Sequence, residues 1–388
     1  MSKINVRSFS NENDDGAPDI VGVSTFSSTA YFVPTKGNTA QRPSDHVEVG
    51  SIRFNTDTSN LEYYRGKTIG WSQFELIDPE LGGGTGSNTG LGTRGLMFNA
   101  SISGDNETNT IEFITISTLG AQQDFGDTTV SVRQRGALSN SVRSLAGGGY
   151  DGSNKSDTID FVTIASQGNA TDFGNMIATI QGSPAGVSDQ TRGIFAGGEV
   201  PSNTDVIQYI TISQEGNTVD FGNLTASKNT VSGGGSSTRG IFAGGNPGSK
   251  TNTIEFITIS TTGNATDFGD LTVEKRNAAK GQSSNSTRHI VYGGQITPTV
   301  TNVIDMITIA TLGNSVDFGD ATTPIESSAA MASSTRAVFA GGSENDDTQH
   351  TRIDSMEFST SGVITSFGTL TPGYRTGGVG CSNGHGGL

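Results

Sequence analysis

Short apolar runs recur along most of the chain at a near-constant distance. One set reads NTIEFITIST at 109–118, DTIDFVTIAS at 157–166, DVIQYITISQ at 205–214, NTIEFITIST at 252–261 and NVIDMITIAT at 302–311, with a degenerate sixth copy, RIDSMEFSTS, at 352–361. These runs are rich in β-branched and aromatic residues, which suit a pleated, buried surface. Both alternating faces are apolar, which predicts a strand sandwiched between neighbouring sheets. A shorter run precedes each copy: TRGIFAGG at 191–198 and 238–245, with looser versions beginning at Thr93, Val142, Thr287 and Thr335. Its arginines, Arg94, Arg143, Arg192, Arg239, Arg288 and Arg336, stand 49, 49, 47, 49 and 48 residues apart. A third motif, Asp-Phe-Gly, closes each unit at 124–126, 172–174, 220–222, 267–269 and 317–319, with Ser366-Phe367-Gly368 in the sixth.

Between the second and third motifs lies a short link centred on Gly120, Gly168, Gly216, Gly263, Gly313 or Gly362. Such glycines supply the positive φ of a tight hairpin turn. A fourth strand of small residues precedes the next arginine: GALSNS at 136–141, GSPAGVSD at 182–189, NTVSGGGSS at 229–237, NAAKGQSSN at 277–285 and ESSAAMASS at 326–334. Small side chains fit a crowded inner strand near an axis. Four strands in about 48 residues is the period of a β-propeller blade, so the expected fold is all-β, with a six-bladed propeller over residues 93–388. The first unit lacks an inner strand, and RTGGVGCSN at 375–383 is an inner-type strand without a successor. Placing the second into the first closes the ring and removes open edges.

The apolar strand ending in Gly-Gly, as in Phe242-Ala243-Gly244-Gly245, followed by an aromatic-bearing strand, resembles the kelch repeat. The usual kelch Tyr and Trp are replaced: Phe125, Phe173, Phe221, Phe268, Phe318 and Phe367 stand where the tryptophan would. The wording TRGIFAGG…NTIEFITIST…GNATDFGDLT is similar to repeats of virion structural proteins of tailed bacteriophages, especially those of marine cyanobacteria. Residues 50–75 resemble the small β module of phage tail fibres and appendages: strands at Ser51–Asn55 and Leu61–Arg65 around Asp57-Thr58-Ser59, then a third from Trp71. An ordinary meander with Trp71 as its core residue is the alternative. The resemblance implies a virion protein at the particle surface, in several copies. Residues 1–80 would be the module that contacts other virion proteins, 81–92 (LGGGTGSNTGLG) a Gly-rich linker, and the propeller a fibre or appendage meeting a glycan or protein of the host surface. The alternatives are a structural decoration protein without a receptor and, third, a glycan-active enzyme.

Composition narrows the chemistry. The net charge of −15 opposes nucleic-acid binding, which needs basic surface. No apolar run is long enough to span a membrane, and the start, MSKINVRSFSNENDDG, lacks a secretory pattern. Cys381 is the single cysteine, and the four histidines, His46, His289, His350 and His385, are scattered, so no cofactor or metal is expected. Acidic stretches at 104–109 and 343–347 lack the spacing of a calcium loop. The six arginines, with Asp124, Asp172, Asp220, Asp267 and Asp317, are expected to form an Arg–Asp link in every blade. The loops after Gly-Gly differ in every unit, while the opposite hairpin turns are nearly constant. Variable loops on a repeated frame are where binding is expected. They offer Asp105, Asn106, Tyr150, Asp151, Asn154, Glu199, Asn203, Asn246, Lys250, Gln295, Thr297, Glu344, Asp346 and Asp347.

Overall fold

The structure, a computed structural model, describes residues 34–44, 47–58, 60–73, 93–102, 107–118, 120–345, 348–360, 362–371 and 375–388. The chain divides into two compact parts, Met1–Asp78 and Pro79–Leu388. Both are built of strands; among the described residues the helical content is one 3-10 turn, Thr39–Gln41. The expected linker at 81–92 lies outside the described residues.

In the first part, Ile52–Asn55 pairs antiparallel with Asn60–Tyr64, which pairs with Trp71–Gln73; Lys36–Gly37 adds a parallel edge. The hairpin and the third strand from Trp71 are where the sequence places them. Trp71 is only half-buried, with Nε1 donating to the Pro43 carbonyl at 3.0 Å and its ring 5.4 Å from that of Tyr64. The buried centre is instead the Glu62 carboxylate, which Arg42, Arg53 and Asn55 hold. The hydrogen bond from Arg42 keeps its pKa below the usual carboxylate value. A buried charge survives there because it is paired.

The second part repeats one antiparallel unit six times. Unit two shows the pattern: Gly136–Ser139, Arg143–Gly147, Ser156–Thr163 and Thr171–Ile180 pair in chain order. Unit three runs from Ala185–Ser188 to Val219–Asn223, unit four from Ser232–Gly235 to Thr266–Lys275, and unit six from Ala329–Ala332 to Thr365–Thr369. Unit five has Arg288–Tyr292, Val303–Thr308 and Val316–Asp320, with a short inner segment at Lys280–Gly281. In unit one, Arg94–Phe98, Thr108–Thr115 and Gln123–Val132 follow one another, and the inner strand is Val379–Ser382, with Val379 opposite Phe98 and Ser382 opposite Gly95. The chain end therefore completes the first unit, as the count of inner strands requires.

Each unit is bonded to the next by the residues that recur. The arginine of each second strand donates from Nη1 to a carbonyl one unit on: Arg94 to Ile164, Arg143 to Ile212, Arg192 to Ile259, Arg239 to Ile309 and Arg288 to Phe358. Arg336 donates to Ile116 of the first unit at 3.0 Å. Arg94, Arg143, Arg192, Arg239 and Arg288 also lie over an aromatic ring of their own unit, Phe113, Phe161, Tyr209, Phe256 and Phe318. This corrects the expected Arg–Asp link. Asp124, Asp172, Asp220, Asp267 and Asp317 are exposed, and Asp172 and Asp317 turn back to cap the N–H of Gly174 and Gly319. A guanidinium half-buried against an aromatic face satisfies its donors with the nearest carbonyl, while an exposed carboxylate gains little by reaching it.

The Asp-Phe-Gly glycines have a reason of their own. The hairpin turn of the following unit donates its glycine N–H to the Phe carbonyl: Gly168 to Phe125, Gly216 to Phe173, Gly263 to Phe221, Gly313 to Phe268, Gly362 to Phe318 and Gly120 to Phe367. A Cβ at Gly222 (φ +150°) would strike the Gly263 carbonyl, so only glycine admits this approach. The asparagine after four of these turns, Asn169, Asn217, Asn264 or Asn314, accepts from the backbone N–H of Asp127, Asn175, Asn223 or Asp270 in the preceding unit. Deeper in, side-chain sizes alternate across each junction. Leu138 faces Gly193, Val187 faces Gly240, His289 faces Gly234 and Met331 faces Gly95, while Cys381 meets Ser144 at 2.6 Å.

Candidate functional site

The variable loops follow the second strand at the end of each unit remote from the arginines. Asp105, Asn106, Asp346 and Asp347 lie outside the described residues. The rest are placed, and several are committed to one another. The first loop residue is zipped to the crossover leaving the preceding unit: Tyr150 to Arg133, Glu199 to Gln181, Asn246 to Asn229, Gln295 to Arg276 and Ser343 to Glu326. Side chains add to this. Lys155 reaches Glu199 in the next loop at 3.1 Å, and Asn203 donates to the Asn246 carbonyl at 2.6 Å. Arg133 lies over Tyr150 and pairs with Glu107, Arg276 donates to Gln295, and His350 meets Glu344 at 2.9 Å. Asp151 folds its own turn by accepting from Ser153 and Asn154, and these backbone bonds lower its pKa. Thr297 is exposed and Lys250 half-buried. The loops thus form a braced belt of different sequences on one repeated frame.

A recurring interior acid is absent from the sequence-based expectations. The position after the first isoleucine of the third strand is Glu112, Asp160, Gln208, Glu255, Asp305 or Asp354, and all six are buried. In units two to five its side chain accepts the N–H of Thr129, Ile177, Thr225 or Thr272 in the preceding outer strand or the crossover just beyond it. Three of the acids meet a buried cation: Arg135 with Asp160 at 2.5 Å, Lys228 with Glu255, and Lys275 with Asp305 at 2.7 Å. Unit three has no such cation and carries the neutral Gln208. The signal was in the motif, because Ile-Glu and Ile-Asp interrupt an otherwise apolar run at one fixed place. Burial lowers the Lys275 pKa, and the Asp305 pKa is lowered by Lys275 against its own desolvation.

Where the inner strands converge, Ser139, Ser188, Gln282, Ser382 and His385 meet. Ser188 Oγ lies 3.4 Å from His385 Nε2, a spacing that invites a nucleophile–base reading. The hydrogen bonds give the opposite proton placement. Gly387 N–H donates to His385 Nδ1 at 3.0 Å, so Nε2 carries the proton and directs it to the Ser139 carbonyl at 2.9 Å. Ser188 donates to the same carbonyl and accepts from Gln282. The imidazole is neutral, its pKa pushed down to about 4 by burial, and has no lone pair left for the serine. These residues fasten the chain end. Asn383 bonds Arg94 of unit one, Ser382 the Ala332 carbonyl of unit six, and Gly386 N–H the Ser284 carbonyl of unit five.

Among the described residues no group of three or more His, Cys, Asp or Glu side chains is arranged to hold a metal ion. No family model and no curated protein matches this chain.

Proposed function

We propose that the six units are the blades of a six-bladed, kelch-like β-propeller, and that the protein is a virion structural protein of a tailed phage whose propeller contacts the host surface. Support for the ring is its cyclic bonding. The arginine–carbonyl bond, the hairpin–Phe bond and the size-matched junctions each pass from unit six back to unit one, through Arg336, Gly120 and Met331. The observation that carries the function is the contrast between the two ends of the units. The hairpin end repeats one bonded pattern, while the loop end carries six unlike sequences whose described residues are bonded to neighbouring units. A rigid frame with unlike loops recognises irregular surfaces without an ordering cost, and several copies per particle add avidity.

A second reading is favoured by one observation: Lys155, Glu199, Asn203 and Gln295 are already bonded within the belt. On that reading the belt is a structural lid and the protein a decoration. One experiment separates the two. Shortening the exposed tips at Asp151–Asn154, Gly248–Lys250 and Thr297–Pro298 leaves the strands and zippers intact. If the loops bind host, phage carrying this protein adsorbs at least about tenfold more slowly. Normal adsorption with assembled particles removes the receptor role and leaves the decoration.

A further inference from the structure

The fifth inner segment departs from the other five. From the left-handed residue that ends each crossover to the last inner-strand residue, the chain takes five steps at Gln134 to Ser139, Ser183 to Ser188, Thr230 to Gly235, Ser327 to Ala332 and Gly377 to Ser382. From Asn277 to Ser284 it takes seven. Ala279 N–H donates to the Tyr292 carbonyl and Ile290 N–H to that of Ser283, so Lys280, Gly281 and Gln282 stand opposite Val291 alone. The two extra residues bulge inward. Lys280 and Gly281 run parallel to Ala329 and Ala330, Gly281 also lies opposite Gly380, and the segment reaches the inner strands of units two, three and four. A side chain at 281 would strike the Gly380 and Ala330 carbonyls, so glycine is required there. The segment floors the axis of the ring, with the His385 cluster on its far side.

Lys280 sits on the other side of this floor. It is 6% exposed, and among the described residues no acceptor takes a hydrogen bond from its ammonium. Glu326, on the crossover at the loop end, is the charged group that acts on it, and that carboxylate already accepts from Asn277 at 3.0 Å. The Lys280 backbone N–H donates to the Ser328 carbonyl, just beyond Glu326, which sets this residue in the loop-end half of the inner segment. The other interior cations, Arg135, Lys228 and Lys275, each have a buried acid of their own. A largely buried lysine whose ammonium finds no protein acceptor leaves its donors to solvent or to an arriving anion.

We propose that Lys280 forms the floor of an axial anion site, open to the variable-loop end, that takes one small anionic group: a carboxylate, sulfate or phosphate, free or carried by an acidic sugar. Burial lowers its pKa to about 8, so at neutral pH the amine is charged and its pairing is incomplete. The site rests on the closed ring proposed above and is independent of the virion reading.

The test uses the full chain at pH 7 and constant ionic strength, titrated with acetate, sulfate, phosphate and glucuronate. The expected result is a saturable rise in Tm with at least one anion. The same anion protects Lys280 from acylation, and its affinity falls about tenfold per pH unit above 8 as the amine loses its proton. Glucuronate acting where acetate does not assigns the site to a sugar acid; acetate, sulfate or phosphate acting alone assigns it to a free ion. Lys280→Met and Lys280→Gln should fold with equal or higher Tm and lose the response. No saturable rise with any of the four anions, or the same rise in both variants, overturns the site. Failure of the ring looks different: Gly281→Ala would then leave Tm unchanged.

Discussion

His289 illustrates how a single side chain can be accommodated by its neighbour's absence. It occupies a position where other units carry Gly193 or Gly240, and it fits because the facing residue is Gly234. Both ring nitrogens are buried without a partner, and burial lowers its pKa to about 4, as it does for His385. In the unfolded chain both titrate near the ordinary value of about 6.5. Between these values the unfolded state holds more protons than the folded one. The histidine contribution is therefore fully present above pH 6.5 and is lost as pH falls toward about 4. Denaturant unfolding followed across this window should show stability declining with a slope approaching two protons. His289→Leu should halve the histidine share of that slope. An unchanged slope in the variant would mean that the His289 ring is hydrated in the folded protein.

At the scale of the element, a strand here is defined as much by the next unit as by its own hairpin. The third strand of unit five has one charged residue, Asp305, which accepts from Thr272 and Ser315 and pairs with Lys275. Lys275→Met leaves that carboxylate enclosed without its cation and should cost about 3–5 kcal/mol. The double variant Lys275→Met, Asp305→Leu should recover most of the loss, because a well-packed apolar pair replaces an ion pair at little cost. Chemical denaturation of the single and double variants measures both. Equal stability of all three proteins would show that the pair is solvated rather than interior. Gln208 in unit three is the natural counterpart, a neutral acceptor at a junction without a cation.

For the whole molecule, the last ten residues bond to several units at once. Val379–Ser382 supplies the inner strand of unit one, and Asn383, His385 and Gly386 fasten units one, two and five. Removing residues 383–388 keeps the strand but takes away the bonds of Asn383, His385 and Gly386; removing 379–388 also bares Arg94–Phe98. We expect both truncations to unfold faster than the full chain, the longer one by more, because each removes contacts that hold units one, two and five to the terminal segment. Stopped-flow unfolding in denaturant gives the rates. Equal unfolding rates for all three chains would show that the repeated units hold without residues 379–388.

The sequence alone indicated the recurring strands of each unit and their order, but not the short strands at Glu199–Val200, Ser202–Asn203, Gln295–Ile296 and Thr299–Val300. Hydrophobic period, turn glycines and repeat spacing are local quantities, and each unit carries them within its own 47–49 residues. It also indicated that the terminal strand belongs to the first unit, since a first unit without an inner strand and a surplus one at 375–383 leave one solution. What the arginines, the Asp-Phe-Gly glycines and the buried acids do was decided by tertiary structure, because the backbone carbonyls and N–H groups they meet lie one unit away. Arg94 finds Ile164, Gly168 finds Phe125 and Asp160 finds Thr129, at separations of about 30–70 residues that no local pattern encodes. The Lys280–Gly281 bulge belongs with these. Two extra residues are visible in the spacing, but only the folded chain sets them against Ala329, Ala330 and Gly380 of other units.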